Sequence, residues 1–249
     1  MSKGLDGNTQ IGAILLDFSK AFDKVHHTSL FKKLKFFGIS GPLHQWIQDF
    51  LIGREQTVIV NGSKSSSIAV NSGVPQGTVL GPLLFLIYIN DLPNCINIGT
   101  KVRLFADDCI IYRTIKTEKD SEVLQQDLDE LQKWESNWNM SFHPEKCQLL
   151  RVSKKKKQII TNYLIHGKSL TQTNNAKYLG VLINDKLSWN PHIDEVIKKS
   201  NKTLGFIRRN FSKCNKNIKL KCYTTLVRPI LEYASAVWDL STKEKYLKN

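Results

Sequence analysis

Short apolar runs alternate with charged segments along this chain, and their spacing predicts both strands and helices. Ile11-Gly-Ala-Ile-Leu-Leu16 is a continuous apolar run too short for a typical helix and reads as a buried strand. It ends at Asp17, a position that suits either a site-facing carboxylate or the cap of the next segment. Segments 28–37 and 42–52 carry helical spacing, the second starting after Gly41-Pro42 and stopping at Gly53. Leu43, Trp46, Ile47, Phe50 and Leu51 are expected to share its core face. Gln56–Val60, then Asn61-Gly62, then Ser65–Val70 predicts a hairpin, because Asn-Gly is the strongest short turn signal. Val79–Ile89 predicts a buried helix behind the loop Ser72-Gly-Val-Pro-Gln-Gly-Thr78.

Two β-favouring runs, Val102-Arg-Leu104 and Cys109-Ile-Ile-Tyr112, bracket Phe105-Ala-Asp-Asp108, which predicts a hairpin with adjacent acids at its tip. Over 118–138, Val123, Leu124, Leu128, Leu131, Trp134 and Trp138 recur at helical spacing, with acids on the other face. Strands are expected at 148–152, 158–165 and 176–183, with Lys154–Lys157 as a solvated tip, a nucleic-acid contact or a nuclear-import signal. From 191 to 238 the pattern is helical and basic, with Ile193, Ile197, Leu204, Ile207 and Phe211 as its stripe. Residues 1–10 read as a disordered lead-in, and a boundary is expected near 188.

Composition narrows the partners. The chain has 249 residues and a net charge of +14. Residues 1–150 carry 15 Lys+Arg against 16 Asp+Glu, so the excess lies in the last 99 residues. That asymmetry favours a polyanion, nucleic acid before an anionic membrane surface. Five scattered cysteines lack metal-binding spacing, which suits reduced thiols, and neither a signal peptide nor a membrane-spanning run is visible. A nuclear or cytoplasmic protein is expected.

Adjacent carboxylates repel unless cations neutralise them, so Asp107-Asp108 is a candidate for hard cations. The same dipeptide also suits a plain polar turn. Two-metal phosphate chemistry needs further carboxylates, and Asp17 is the candidate.

In this order the pieces resemble the reverse transcriptase domain of non-LTR retrotransposons, LINE-like elements of the jockey type. The matching stretches are Leu15-Leu-Asp-Phe-Ser-Lys-Ala-Phe-Asp-Lys-Val25, Ser72-Gly-Val-Pro-Gln-Gly-Thr-Val-Leu-Gly-Pro82, Leu86-Ile-Tyr-Ile-Asn-Asp-Leu92, Phe105-Ala-Asp-Asp108 and Tyr178-Leu-Gly-Val181. The resemblance implies an α+β fold: a right-hand polymerase palm, antiparallel sheet backed by helices, over 11–187 with partial fingers, then a helical, basic thumb over 188–249. It implies an RNA-directed DNA polymerase that takes dNTPs and extends a DNA primer on an RNA template, with two Mg²⁺ ions (or Mn²⁺) as cofactor and no membrane partner. Asp17, Asp107 and Asp108 would hold the ions, helped by the backbone carbonyl of Phe18. Phe22 matches the aromatic lying against the sugar 2′ position, and it also suits a core Phe. Gln76 and Gly77 match the loop lining the nucleotide and template base. Lys146 matches the lysine near the leaving pyrophosphate, and it also suits a surface lysine. Lys177, Tyr178, Leu179 and Gly180 match the primer grip. Against the resemblance, the family's fingers segments upstream of the first aspartate and its endonuclease portion are expected to be missing, and Lys24-Val-His-His27 stands where Lys-Val-Pro-His is common. A vestigial nucleic-acid-binding palm–thumb module without polymerase activity is the rival expectation. A maturase- or telomerase-like partner is a third.

Overall fold

The computed structural model describes residues 9–155 and 157–238. Most of the expected lead-in, Lys156 of the lysine run and the last eleven residues lie outside them. The chain divides into two compact units, Met1–Thr173 and Asn174–Asn249, a division that falls ahead of the boundary expected near 188.

The first unit is built on strand β1 (Gln10–Asp17), whose apolar run is buried because both of its edges are paired. Helices α1 (His27–Phe36) and α2 (Gly41–Leu51) follow, with Pro42 in the first turn of α2 as expected. The hairpin predicted around Asn61-Gly62 forms from four two-residue strands, β2 (Glu55–Gln56) with β5 (Ile68–Ala69) and β3 (Ile59–Val60) with β4 (Ser63–Lys64). Helix α3 (Leu80–Ile89) leads through a 3₁₀ turn at Leu92–Cys95 to β6 (Lys101–Phe105) and β7 (Asp108–Ile115), the predicted acid-tipped hairpin. Helix α4 (Glu118–Trp138) opens with a capping box between Thr117 and Asp120. Strand β8 (Gln148–Ser153) then pairs with β1, and β9 (Leu164–Ile165) pairs with β10 (Lys168–Ser169). Strand β11 (Thr171–Thr173) adds to β8 in parallel, giving the sheet order β11-β8-β1-β7-β6.

One core joins this sheet to the helices through Ile14, Leu34, Leu84, Phe85, Ile111, Leu128 and Leu149. Each such side chain, fully buried, contributes roughly 1.5–3 kcal/mol.

Three expectations about this unit are corrected. The strand predicted over 158–165 shrinks to Leu164–Ile165, because side chains rather than a ladder hold the preceding backbone. Gln10 brackets Ile159, donating from Nε2 to its carbonyl (2.8 Å) and accepting its N–H (2.9 Å). The free edge of β8 goes to β11. On α2 only half of the apolar face is core: His44, Ile47 and Leu51 are buried, whereas Leu43 and Trp46 are both 54% exposed. The helix meets its neighbours along one i, i+3, i+7 stripe, and the second stripe lies off that seam. The acids of α4 are not all solvent-facing either. Asp127 and Glu135 are buried, and Asp127 accepts from Asn97 and Thr100 to hold the 96–100 loop.

The second unit begins with a hairpin in place of the single strand expected over 176–183. Strands β12 (Asn175–Tyr178) and β13 (Val181–Asn184) reverse at Leu179-Gly180, both at positive φ (48° and 77°), the twist a two-residue hairpin loop favours. Helix α5 (Asn190–Asn210), α6 (Lys216–Cys222), a π turn at Tyr223–Val227, α7 (Arg228–Glu232) and α8 (Ser235–Trp238) complete it. Of the stripe expected along 191–211, Ile207 is buried and Ile197 is 46% exposed. Among the described residues, no helix is long and apolar enough to cross a membrane.

Candidate active site

Antiparallel register brings two distant acids together. Asp17 closes β1, Asp108 opens β7, and the two are direct partners across the strands. Asp107 sits beside them in the two-residue turn between Phe105 and Asp108, which pair with each other. Ala106, first in that turn, takes a left-handed φ of 49°. The three carboxylates therefore occupy one end of the sheet. Burial raises the Asp108 carboxyl above the ordinary range, and the negative charges of Asp107 and Asp17 push it further the same way. Among the described residues, no three His, Cys, Asp or Glu side chains are gathered into a ready-made metal cage.

The segment after α4 braces this end of the sheet. Asp17 donates its N–H to Cys147 Sγ (3.4 Å) and accepts at its carbonyl from the His143 N–H (2.8 Å). Phe18 and Phe142 bridge backbone to backbone, with ring centroids 4.5 Å apart. The Phe18 side chain thus belongs to the core, and what it offers the site is its main chain. Lys146 Nζ lies 3.9 Å from Asp17 Oδ1, with both side chains substantially exposed. The structure therefore brings Lys146 to Asp17.

Phe22 is half-buried in the turn after β1 and stacks on Phe85 of α3, centroids 4.4 Å apart and planes at 25°. Gln76 is exposed and donates from Nε2 to Asp23 Oδ1 (3.2 Å). Gly77 stands at φ +80°, which an L side chain rarely adopts. Behind it, Thr78 Oγ1 donates to the Pro75 carbonyl and accepts the Gly81 N–H, locking the loop onto the start of α3. A Cβ on Gly81 would lie 2.4 Å from the Pro75 oxygen. The loop forms one wall of a groove of about 540 Å³ whose lining includes Lys20, Asp23, His27, Arg54 and Gln76. None of the three aspartates lines it. Sequence reasoning passed over Lys20 and Asp23, although both lie inside the matched stretch from 15 to 25.

Lys177, Tyr178, Leu179 and Gly180 lie in the second unit, on the β12–β13 hairpin. Lys177 Nζ is paired with Glu195 of α5 at 3.1 Å. Tyr233 donates to the Leu179 carbonyl (3.0 Å), fixing the turn from outside. His192 is buried, accepts the Leu182 N–H at Nδ1, and has its pKa lowered by that burial. Nothing in the sequence signalled Tyr233 or His192.

Residues 6–183 match the family model described as reverse transcriptase (RNA-dependent DNA polymerase). The chain is 30% identical over 252 residues to the RNA-directed DNA polymerase from mobile element jockey of Drosophila funebris, covering 97% of this chain and 27% of that protein. It is 28% identical over 243 residues to the probable RNA-directed DNA polymerase from transposon X-element of Drosophila melanogaster, covering 95% and 26%. The chain thus spans about a quarter of the length of these curated relatives. Among solved structures, telomerase from Candida tropicalis in complex with a fragment of telomeric RNA superposes with a TM-score of 0.51 at 11% identity, over 97% of this chain and 40% of that one. That likeness concerns the fold alone.

Proposed function

We infer that this chain, which belongs to the reverse transcriptase (RNA-dependent DNA polymerase) family, supplies the nucleotidyl-transfer centre of an RNA-directed DNA polymerase of a non-LTR retrotransposon. The observation that carries the reading is the register pairing of Asp17 with Asp108, with Asp107 beside them in the turn. Their donors are all carboxylate oxygens, the chemistry hard divalent cations take, and burial first, then the charges of Asp107 and Asp17, raises the Asp108 carboxyl. Asp17, Asp107 and Asp108, with the Phe18 carbonyl, would hold two Mg²⁺ ions, or Mn²⁺ in their place. Bound there, such ions stabilise the attacking and leaving oxygens of an in-line displacement at phosphorus.

The remaining roles fall to the chain's own groups. The Phe22 ring, backed by Phe85, would lie against the sugar of an incoming dNTP and exclude a 2′-hydroxyl. Gln76, held by Asp23, and the Gly77 backbone would line the nucleotide and the template base. Lys146 Nζ would neutralise, or donate a proton to, the departing pyrophosphate. Lys177 and the turn Tyr178-Leu179-Gly180 would position the DNA primer on its RNA template. In this reading the palm covers 11–187, and a thumb over 188–249 meets the duplex backbone without sequence preference. Nuclear or cytoplasmic residence belongs to the same proposal, as do other portions of a longer protein.

Primer extension on homopolymer RNA with Mg²⁺ tests it. Extension by the wild-type chain, lost at least a thousandfold in Asp107→Asn, is the expected result. A second reading, a nucleic-acid-binding module that does not polymerise, is favoured by the lack of a preassembled cage among the described residues. Salt-sensitive duplex binding without any extension would establish that reading instead.

A further inference from the structure

Glu135 lies in the last turn of α4 with only 2% of its surface exposed. The position is a poor one for an acid: the carboxylate is desolvated, and a helix C-terminus already carries partial negative charge. Burial accordingly raises its pKa, against the opposing pull of the Phe142 amide and His166. One hydrogen bond accounts for its presence: Oε1 accepts the Phe142 N–H. Oε2 makes no hydrogen bond and lies 3.0 Å from His166 Nε2, an ion pair when that ring is protonated, while the backbone carbonyl accepts the Met140 N–H.

The Phe142 and Met140 bonds act on one segment. Residues 140–147 are the stretch to which both backbone groups of Asp17 are tied. The same stretch accepts the Ser19 N–H at the Ser141 carbonyl (2.8 Å), takes the Lys24 ammonium at Ser141 Oγ, and carries Lys146. On the outer side, His166 sits at the tip of the β9–β10 hairpin with φ +50°, its N–H fixed by Gln132 Oε1 at 2.7 Å. The imidazole covers Glu135 while nearly half of its own side chain stays exposed.

We propose that Glu135 is a positioning residue: through the Phe142 amide it holds the 140–147 segment, and with it Lys146 and the Asp17 backbone, in the arrangement the carboxylate site uses, and His166 is its outer partner. The inference rests on the polymerase reading for its consequence and on the hydrogen-bond geometry for its substance.

Amide hydrogen exchange on the full chain, read together with primer extension, separates the two. Glu135→Leu keeps the bulk and removes the acceptor. Exchange across 140–147 and at Ser19 should accelerate at least tenfold, with β1 and β7 amides unchanged. Glu135→Gln, which still accepts the Phe142 N–H, should stay within about threefold of wild type. In extension, Glu135→Leu should lower kcat at least tenfold with little change in KM for the template–primer, and Gln should restore it. If the wild-type chain extends no primer, the polymerase reading fails and the exchange result still decides the positioning role. Unchanged exchange at 140–147 in Glu135→Leu, or equal acceleration throughout the core, would overturn the proposal. Should that variant not fold, Glu135→Asp serves, since it keeps the charge and is one methylene too short to reach the Phe142 N–H: faster exchange confined to 140–147 supports the role, and none overturns it.

Discussion

Single side chains at the sheet end carry conflicting demands, and each conflict is measurable. The raised Asp108 pKa means that the folded state prefers the protonated acid more than the unfolded chain does. Its contribution to stability is therefore full below the ordinary aspartate range and lost as pH rises through the raised folded value. Without divalent cations, Asp108→Asn should thus melt above the wild type at pH 7, and the gap should close below about pH 4. Adding Mg²⁺ should raise the wild-type Tm and not that of the variant, as differential scanning fluorimetry would read. Ala106 pays for a left-handed φ, so Ala106→Val, with a branched Cβ, should lose about 1–2 kcal/mol in urea unfolding while Ala106→Gly should not. Cys147 has its thiol pushed up to about 11 by burial, so it should resist maleimide at pH 8 until the chain unfolds. At this scale the sequence singled out the three aspartates because each sat in a matched stretch, whereas Lys146 lies outside those stretches and its place beside Asp17 is seen only in the fold. The sequence could not reveal Glu135, because an acid among acids on an amphipathic helix reads as solvated until the packing is known.

Elements explain which expectations held. The helices at 27–36, 41–51, 80–89 and 118–138 were legible because apolar periodicity and start signals agreed. The capping box makes this testable: Thr117→Ala should cost about 1 kcal/mol in chemical denaturation. Gly81→Ala should cost about 2 kcal/mol and loosen the loop carrying Gln76, because its Cβ would meet backbone that Thr78 holds in place. Illegible elements were those whose partner decides their state. Strand β11, Thr171–Thr173, is polar and three residues long, and only the open edge of β8 makes it a strand. The 176–183 run hid its turn because Leu179 reads as an apolar strand residue, although the Gly180 beside it was the available signal.

At the scale of the whole molecule, charge is the property the sequence showed best. The basic residues of α5, Lys198, Lys199, Lys202, Arg208 and Arg209, follow a first 150 residues of nearly balanced charge. Replacing Lys198, Lys202 and Arg209 with Gln should weaken duplex binding about equally for all sequences. The slope of log affinity against log salt should also become shallower, by roughly 0.9 for each phosphate that is no longer neutralised. The two halves of the first unit's sheet differ in another way. Strand β7 is laddered to β1 from Asp108 to Ile115 and to β6 from Asp108 to Tyr112, and a slip of one residue would turn its side chains to the opposite face, carrying Asp108 away from Asp17. Ile159 and Thr161 are held by the Gln10 and Arg151 side chains, which do not count residues, and the core takes over at Tyr163. Copies of this chain that accumulate changes should therefore gain and lose residues at 157–162 and keep the length of 105–115 fixed, even where its letters drift.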